Sequence, residues 1–106
     1  MDTATLNISL NGTTISAWGG TYKTGETEHN VNDHVVVNNN VITFDEAFHR
    51  LYVQPDKTVG ITLGEAASAD NAFLIGPAGC KIEVSSKKIS LVSSEAITVS
   101  LLLLFN

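Results

Sequence analysis

A chain of 106 residues, 43% of them apolar and 16% charged, is sized for one domain that buries its own core, so the expected domain is 1–106. Its net charge is −5, and its six Lys and Arg residues are scattered apart from Lys87 and Lys88. That balance argues against nucleic acid and against anionic membrane surfaces as partners, since both demand a cationic footprint.

The opening "MDTATLNISL" has no basic region ahead of an apolar run, so no signal peptide is expected. Within it Ala4, Leu6, Ile8 and Leu10 alternate with polar residues, the period of a half-buried strand. Asn11-Gly12 follows, the favoured pair for a two-residue type I′ loop. That loop predicts Leu10 opposite Thr13, Ile8 opposite Ile15 and Leu6 opposite Ala17. "NIS" at Asn7 and "NGT" at Asn11 match the glycosylation pattern, but both fit a strand and its turn. Trp18 ends the second strand beside Gly19-Gly20 and is expected as a plug at the rim of a sandwich. Thr21 to Asp33 then reads as the longest polar loop. A loop on a rigid sheet is the usual place for binding residues, and the plainer expectation is a solvated connector.

In "HVVVNNNVITF" two β-branched runs flank three asparagines, which predicts another hairpin because Asn tolerates left-handed backbone. "DEAFHRLY" fits two forms: a strand, or one helical turn capped by Asp45 with Phe44, Phe48 and Leu51 inward. "VGITL" places Val59, Ile61 and Leu63 on one face, and "AFLI" is another short strand. In "CKIEVSSKKISLVSS" a two-residue loop at Ser86-Lys87 predicts Val84 opposite Ile89 and Ile82 opposite Leu91. This makes Ile82 core and puts Cys80 on the buried face, as a small core residue. As the single cysteine, Cys80 forms no internal disulfide, which suits assembly in reducing cytoplasm.

The closing "AITVSLLLLF" sets Ile97, Val99, Leu101, Leu103 and Phe105 on a core face. Its other face starts as Thr98 and Ser100 and then becomes Leu102 and Leu104. These two leucines are the candidate partner-binding residues. "LLLLF" is far shorter than the roughly 20 residues of a transmembrane helix. About eight to ten short strands with Asn, Gly, Ser and Pro turns imply an all-β fold. The expected form is a single antiparallel β-sandwich with short hairpins, a jelly-roll-like layout being one version of it.

Chemistry is sparse along this chain. His29 and His34 lie near Asp33, Glu26 and Glu28, but their spacing matches no zinc ligand pattern. Asn30, Asn32 and Asp33 offer loop oxygens of the kind calcium takes. No serine sits in a G-x-S-x-G elbow. Asp45-Glu46 points to opposite faces if it lies on a strand, and "GPAG" is too short for a phosphate loop. No catalytic residue, cofactor or metal is expected, and the chain is not expected to be an enzyme. Trp18, Tyr22 and Tyr52 are the aromatic rings available for a sugar platform.

From Val59 to Phe105 the chain resembles a recurrent type of small virion protein of tailed bacteriophages. The likeness consists of "VGITLG", "ASADNAFLIGPAG", "CKIEVSSKKISLVSS" and "AITVSLLLLF" in that order. The resemblance implies a β-sandwich that decorates capsids or forms head, tail or fibre parts, and it transfers no catalytic residue. The expected function is accordingly a non-enzymatic structural protein of a phage particle, a capsid decoration or cement protein first. A tail or fibre component and a carbohydrate-binding β-sandwich module are the alternatives. The implied partners are further copies of the chain, the major capsid protein or neighbouring virion proteins. The implied location is the virion, assembled in the host cytoplasm.

Overall fold

The structure, a computed structural model, describes residues 2–105, and among these eleven strands form two antiparallel sheets packed as a sandwich. In chain order they are β1 (Asp2–Asn11), β2 (Thr14–Thr24), β3 (Thr27–Asn30), β4 (Val35–Asn38), β5 (Val41–Phe48) and β6 (Arg50–Pro55). Then come β7 (Val59–Thr62), β8 (Phe73–Ile75), β9 (Cys80–Ile82), β10 (Ser86–Val92) and β11 (Ala96–Leu104). A 3-10 turn, Val31–Asp33, links β3 to β4. One sheet runs β3-β2-β1-β11-β6-β9 and the other β4-β5-β10-β7-β8.

Without β2, β3 and β4, the orders reduce to β1-β11-β6-β9 and β5-β10-β7-β8. The first strand then pairs with the last, and the pairs β5–β10, β6–β9 and β7–β8 nest inside. That nesting is the jelly-roll arrangement. The extra strands extend both sheets on one side of the sandwich, crossing between them through the buried Val31.

Period-two alternation builds the core, as the sequence predicts. Leu6, Ile8 and Leu10 from β1, and Val99, Leu101 and Leu103 from β11, face Ile42, Phe44, Ile89 and Leu91 of the other sheet, all buried. The loop after β7 covers the outer face of β10. Ala67 N–H donates to the buried Ser90 hydroxyl at 2.8 Å, and the Asn40 amide donates to the carbonyls of Ala67 and Leu91 at 3.1 and 2.8 Å.

Several local expectations give way to tertiary pairing. The first hairpin loop is Gly12-Thr13, with Asn11 already paired to Thr14. Gly12 has φ 62°, while no positive φ occurs at Thr13, the pattern of a type II′ turn with Gly first. Gly12 also exchanges main-chain and side-chain bonds with Ser93, both 3.0 Å, which fixes the turn from outside the hairpin. The ladder slips between Ser9 and Leu10, so Leu10 meets Ile15, Ile8 meets Trp18 and Leu6 meets Gly20. Ile15 and Trp18 are an odd number of residues apart, and a bulge is what lets both lean on the core. Ala17 is exposed.

Thr21 to Asp33 is no loop: it completes β2, turns at Gly25 (φ 60°) and returns as β3. "DEAFHRLY" is strand throughout except at His49, where the bend between β5 and β6 lets Phe44, Phe48 and Leu51 all point inward. The hairpin expected at Ser86-Lys87 does not form. β9 pairs with β6 in one sheet, and β10 pairs with β5 and β7 in the other. Nesting sends consecutive strands to different sheets, so Glu83 to Ser85 crosses the sandwich instead of turning. Val84 is therefore 43% exposed, Ile82 only half-buried, and Cys80 exposed rather than core. The Asn39-Asn40 hairpin is as expected, with Asn39 at φ 55°.

Candidate functional site

The two sides of the sandwich differ. On the β2–β4 side, the chain's own extra strands close the gap between the sheets. Of the two edge strands there, β3 reads TEHN and is exposed and polar throughout, the usual protection of a strand edge, while β4 reads VVVN and leaves Val36 69% exposed. On the other side the edges are β8 and β9, and among the described residues no strand lies beyond either. Between them opens a cleft of about 710 Å³, walled by Ile61, Leu63, Ile75, Ile82 and Val84. This volume falls in the range of binding clefts, about 300–1,000 Å³.

Two features make this seam unusual as a solvated surface. Phe73 is 79% and Leu74 76% exposed, adjacent on the edge strand and both at the cleft. The edge of β8 carries no charge, proline or bulge, whereas β9 carries Lys81, which pairs with Glu83 at 3.2 Å. The bond and charge of Lys81, and then the charge of Arg50 at 3.5 Å from the same carboxylate, hold the Glu83 pKa below the ordinary range. Glu65 is the one charged residue lining the cleft, and its carboxylate has no ion pair among the described residues.

The polar residues singled out in the sequence gather at the opposite side. Tyr22, buried, stacks on the His34 ring with centroids 3.9 Å apart and donates its hydroxyl to Glu46. His34 Nδ1 bonds Asp45 Oδ2 at 2.8 Å, and His29 stands edge-on to His34 at 6.1 Å. Burial first, then the bond and charge of Glu46, push the Tyr22 hydroxyl well above its ordinary pKa. Asn30 caps the 3-10 turn by accepting from Asn32 N–H, so its oxygen is engaged in backbone structure. Among the described residues no three His, Cys, Asp or Glu side chains come together as a metal site.

Trp18 and Tyr22 lie on the core side of β2, while Tyr52 stands on the outer face of β6, so the three aromatics form no common platform. Tyr52 shares a shallow hollow with Asn7, Gln54 and Ser100. Leu102 pairs with Tyr52 across β11 and β6 and is 38% exposed, whereas Leu104, opposite Arg50, is half-buried.

Sequence reasoning passed over Phe73 and Leu74, reading "AFLI" only as a strand. The signal was present. Adjacent strand residues point to opposite faces, so an apolar run bounded by turns leaves one side uncovered unless another layer lies over it. No protein-family model, curated protein or solved structure matches the chain.

Proposed function

We propose that this jelly roll is a non-enzymatic structural protein of a phage particle, working as a capsid decoration or cement protein through its surfaces. The observation that carries the reading is the pair Phe73 and Leu74, both over three-quarters exposed on an unprotected strand edge. Large exposed apolar residues clustered in one place mark a surface that another molecule covers. Leu102, beside Tyr52, and Leu104 supply a second contact on the outer face of the six-stranded sheet. The likeness of residues 59–105 to small virion proteins supports the same setting. So does the fold, since jelly rolls build many viral capsid domains. The partners are further copies of the chain, the major capsid protein or neighbouring virion proteins, and the location is the virion assembled in the host cytoplasm.

The test is co-sedimentation of the purified protein with capsids that lack it, alongside light scattering of the protein alone. Saturable binding at a fixed ratio to the capsid subunit is the expected result. Absence of the chain from purified virions by mass spectrometry removes the reading.

A second reading, carbohydrate binding, draws on the Tyr52 ring amid the amides of Asn7 and Gln54 and the hydroxyl of Ser100. Aromatic faces stack on sugars while amides and hydroxyls bond their edges. A glycan-array signal lost in Tyr52→Ala would favour it over the virion role.

A further inference from the structure

We propose that the seam between β8 and β9 takes one extended apolar strand of a neighbouring protein, paired along the free edge of β8. The inference rests on the reading that this surface works by docking, and it names the chemistry of the docked segment.

The sandwich itself shows what such an occupant must be. On the far side, β2, β3 and β4 prolong the sheets and close the space between them. At β8 and β9 nothing from the described residues does so. A strand added there would prolong the sheet and fill the seam as those strands fill the far side. An edge strand presents a row of unpaired main-chain donors and acceptors, which an added strand satisfies. The alternate side chains of that strand then enter the apolar cleft beside it.

Size decides between a strand and a globular face. Phe73, Leu74 and Val84 together offer on the order of 400 Å² of apolar surface. A standard interface needs about 800 Å² from each partner. The seam is too small for a rigid domain face, or for a self-paired dimer standing on this contact alone. It suits a single strand of four or five residues, for which main-chain bonds make up the difference.

Charge adds polarity to the site. Glu65, unpaired among the described residues, is the one charge in an otherwise uncharged lining. The fitting segment is apolar at alternate positions and carries Lys or Arg at the end that lies by Glu65.

Cys80 allows a direct test because it lines the cleft, is exposed and is the single thiol of the chain. The probe is a capped peptide alternating Val and Thr and ending in Lys. The readout is the rate of Cys80 alkylation by iodoacetamide, followed by mass spectrometry. The expected result is a saturable slowing of at least about five-fold. An N-methylated version of the peptide should give none of it. Glu65→Lys should weaken binding of the Lys-ended peptide about ten-fold and restore it for a Glu-ended one, with circular dichroism confirming an intact sheet. No slowing by the peptide overturns the proposal. Equal slowing by the N-methylated peptide or by octyl glucoside overturns it in favour of a small apolar ligand. Slowing that grows with protein concentration alone overturns it in favour of a second copy. Particle binding without peptide protection leaves the virion role standing and removes this inference; peptide protection without particle binding does the reverse.

Discussion

The Ser90 hydroxyl donates to the main-chain carbonyl of Asn40 at 2.9 Å, and both residues are buried. The same hydroxyl accepts from Ala67 N–H at 2.8 Å, while the Asn40 side chain returns a bond to the Ala67 carbonyl. A turn residue, a strand residue and a loop residue thus satisfy one another out of reach of water. Ser90→Ala removes the acceptor of a buried N–H, and an unsatisfied buried donor costs about 1–3 kcal/mol. Urea melts should show that loss, with earliest hydrogen exchange in the loop around Ala67. An unchanged midpoint would mean that water replaces the hydroxyl.

Tyr22 makes stability depend on alkaline pH. Its hydroxyl is raised above the ordinary value of 10.0 by burial and then by Glu46, so the native state holds the proton more tightly than the unfolded chain. The contribution is complete below pH 10, where both states are protonated. It is lost as pH climbs, because the unfolded chain ionises first. Stability should therefore fall from about pH 10 upward, and less steeply in Tyr22→Phe. Parallel slopes for the two proteins in urea melts between pH 9 and 11 would refute the assignment.

Much of this architecture was legible in the chain, and what was not has a common cause. Alternation identified the core faces of β1, β7 and β11, because burial and strand period act on the same residues. The Asn39-Asn40 turn was legible because its loop chemistry and its β-branched flanks agree. The Asn11-Gly12 loop was misplaced because Ser93, 81 residues away, binds Gly12 and draws Asn11 into the ladder. Ser86-Lys87 was read as a turn because Val84 and Ile89 fit a local register. Which sheet a strand joins is a non-local choice, and here β9 chose Leu51 and Val53 of β6. The candidate surface suffered likewise. The exposure of Leu102 could be read from its own strand, but the bareness of Phe73 follows from the lack of a neighbouring strand among the described residues, which no local pattern records.

The adjacent glycines of β2 should behave differently. A Cβ on Gly20 would lie 1.8 Å from the carbonyl oxygen of Thr5, in backbone that has nowhere to move, whereas one on Gly19 meets nothing within 4 Å. Gly20→Ala is expected to destabilise by more than about 3 kcal/mol. Gly19→Ala should be neutral or stabilising by about 0.5 kcal/mol, through the lower entropy of the unfolded chain. Equal effects in thermal melts would refute the close approach of β2 to β1.

Position in the sandwich should separate Ile82 from Leu91. Leu91 is fully buried at the centre of its sheet, and truncation to Ala should cost about 2–5 kcal/mol. Ile82 only leans on the core from the edge strand β9, so Ile82→Ala should cost about 1 kcal/mol. Denaturant midpoints measure both, and an Ile82 loss as large as that of Leu91 would place it inside the core.

Leu102 and Leu104 should part company in the same way, and the difference bears on assembly. Leu102 is 38% exposed beside Tyr52 on the outer face of β11, and a charge there remains hydrated. Leu102→Asp should shift stability by no more than about 0.5 kcal/mol. Leu104 is half-buried opposite Arg50 and Thr3, so Leu104→Asp desolvates part of a carboxylate and should cost about 1–2 kcal/mol. The single variant Leu102→Asp is therefore the cleaner probe of the outer face. If this face meets a neighbour in the particle, Leu102→Asp stays folded and monomeric and loses co-sedimentation with capsids, while Leu102→Met retains it. A folded Leu102→Asp that still binds capsids at the wild-type ratio would remove the outer face from the contact and leave the β8 edge to carry it alone.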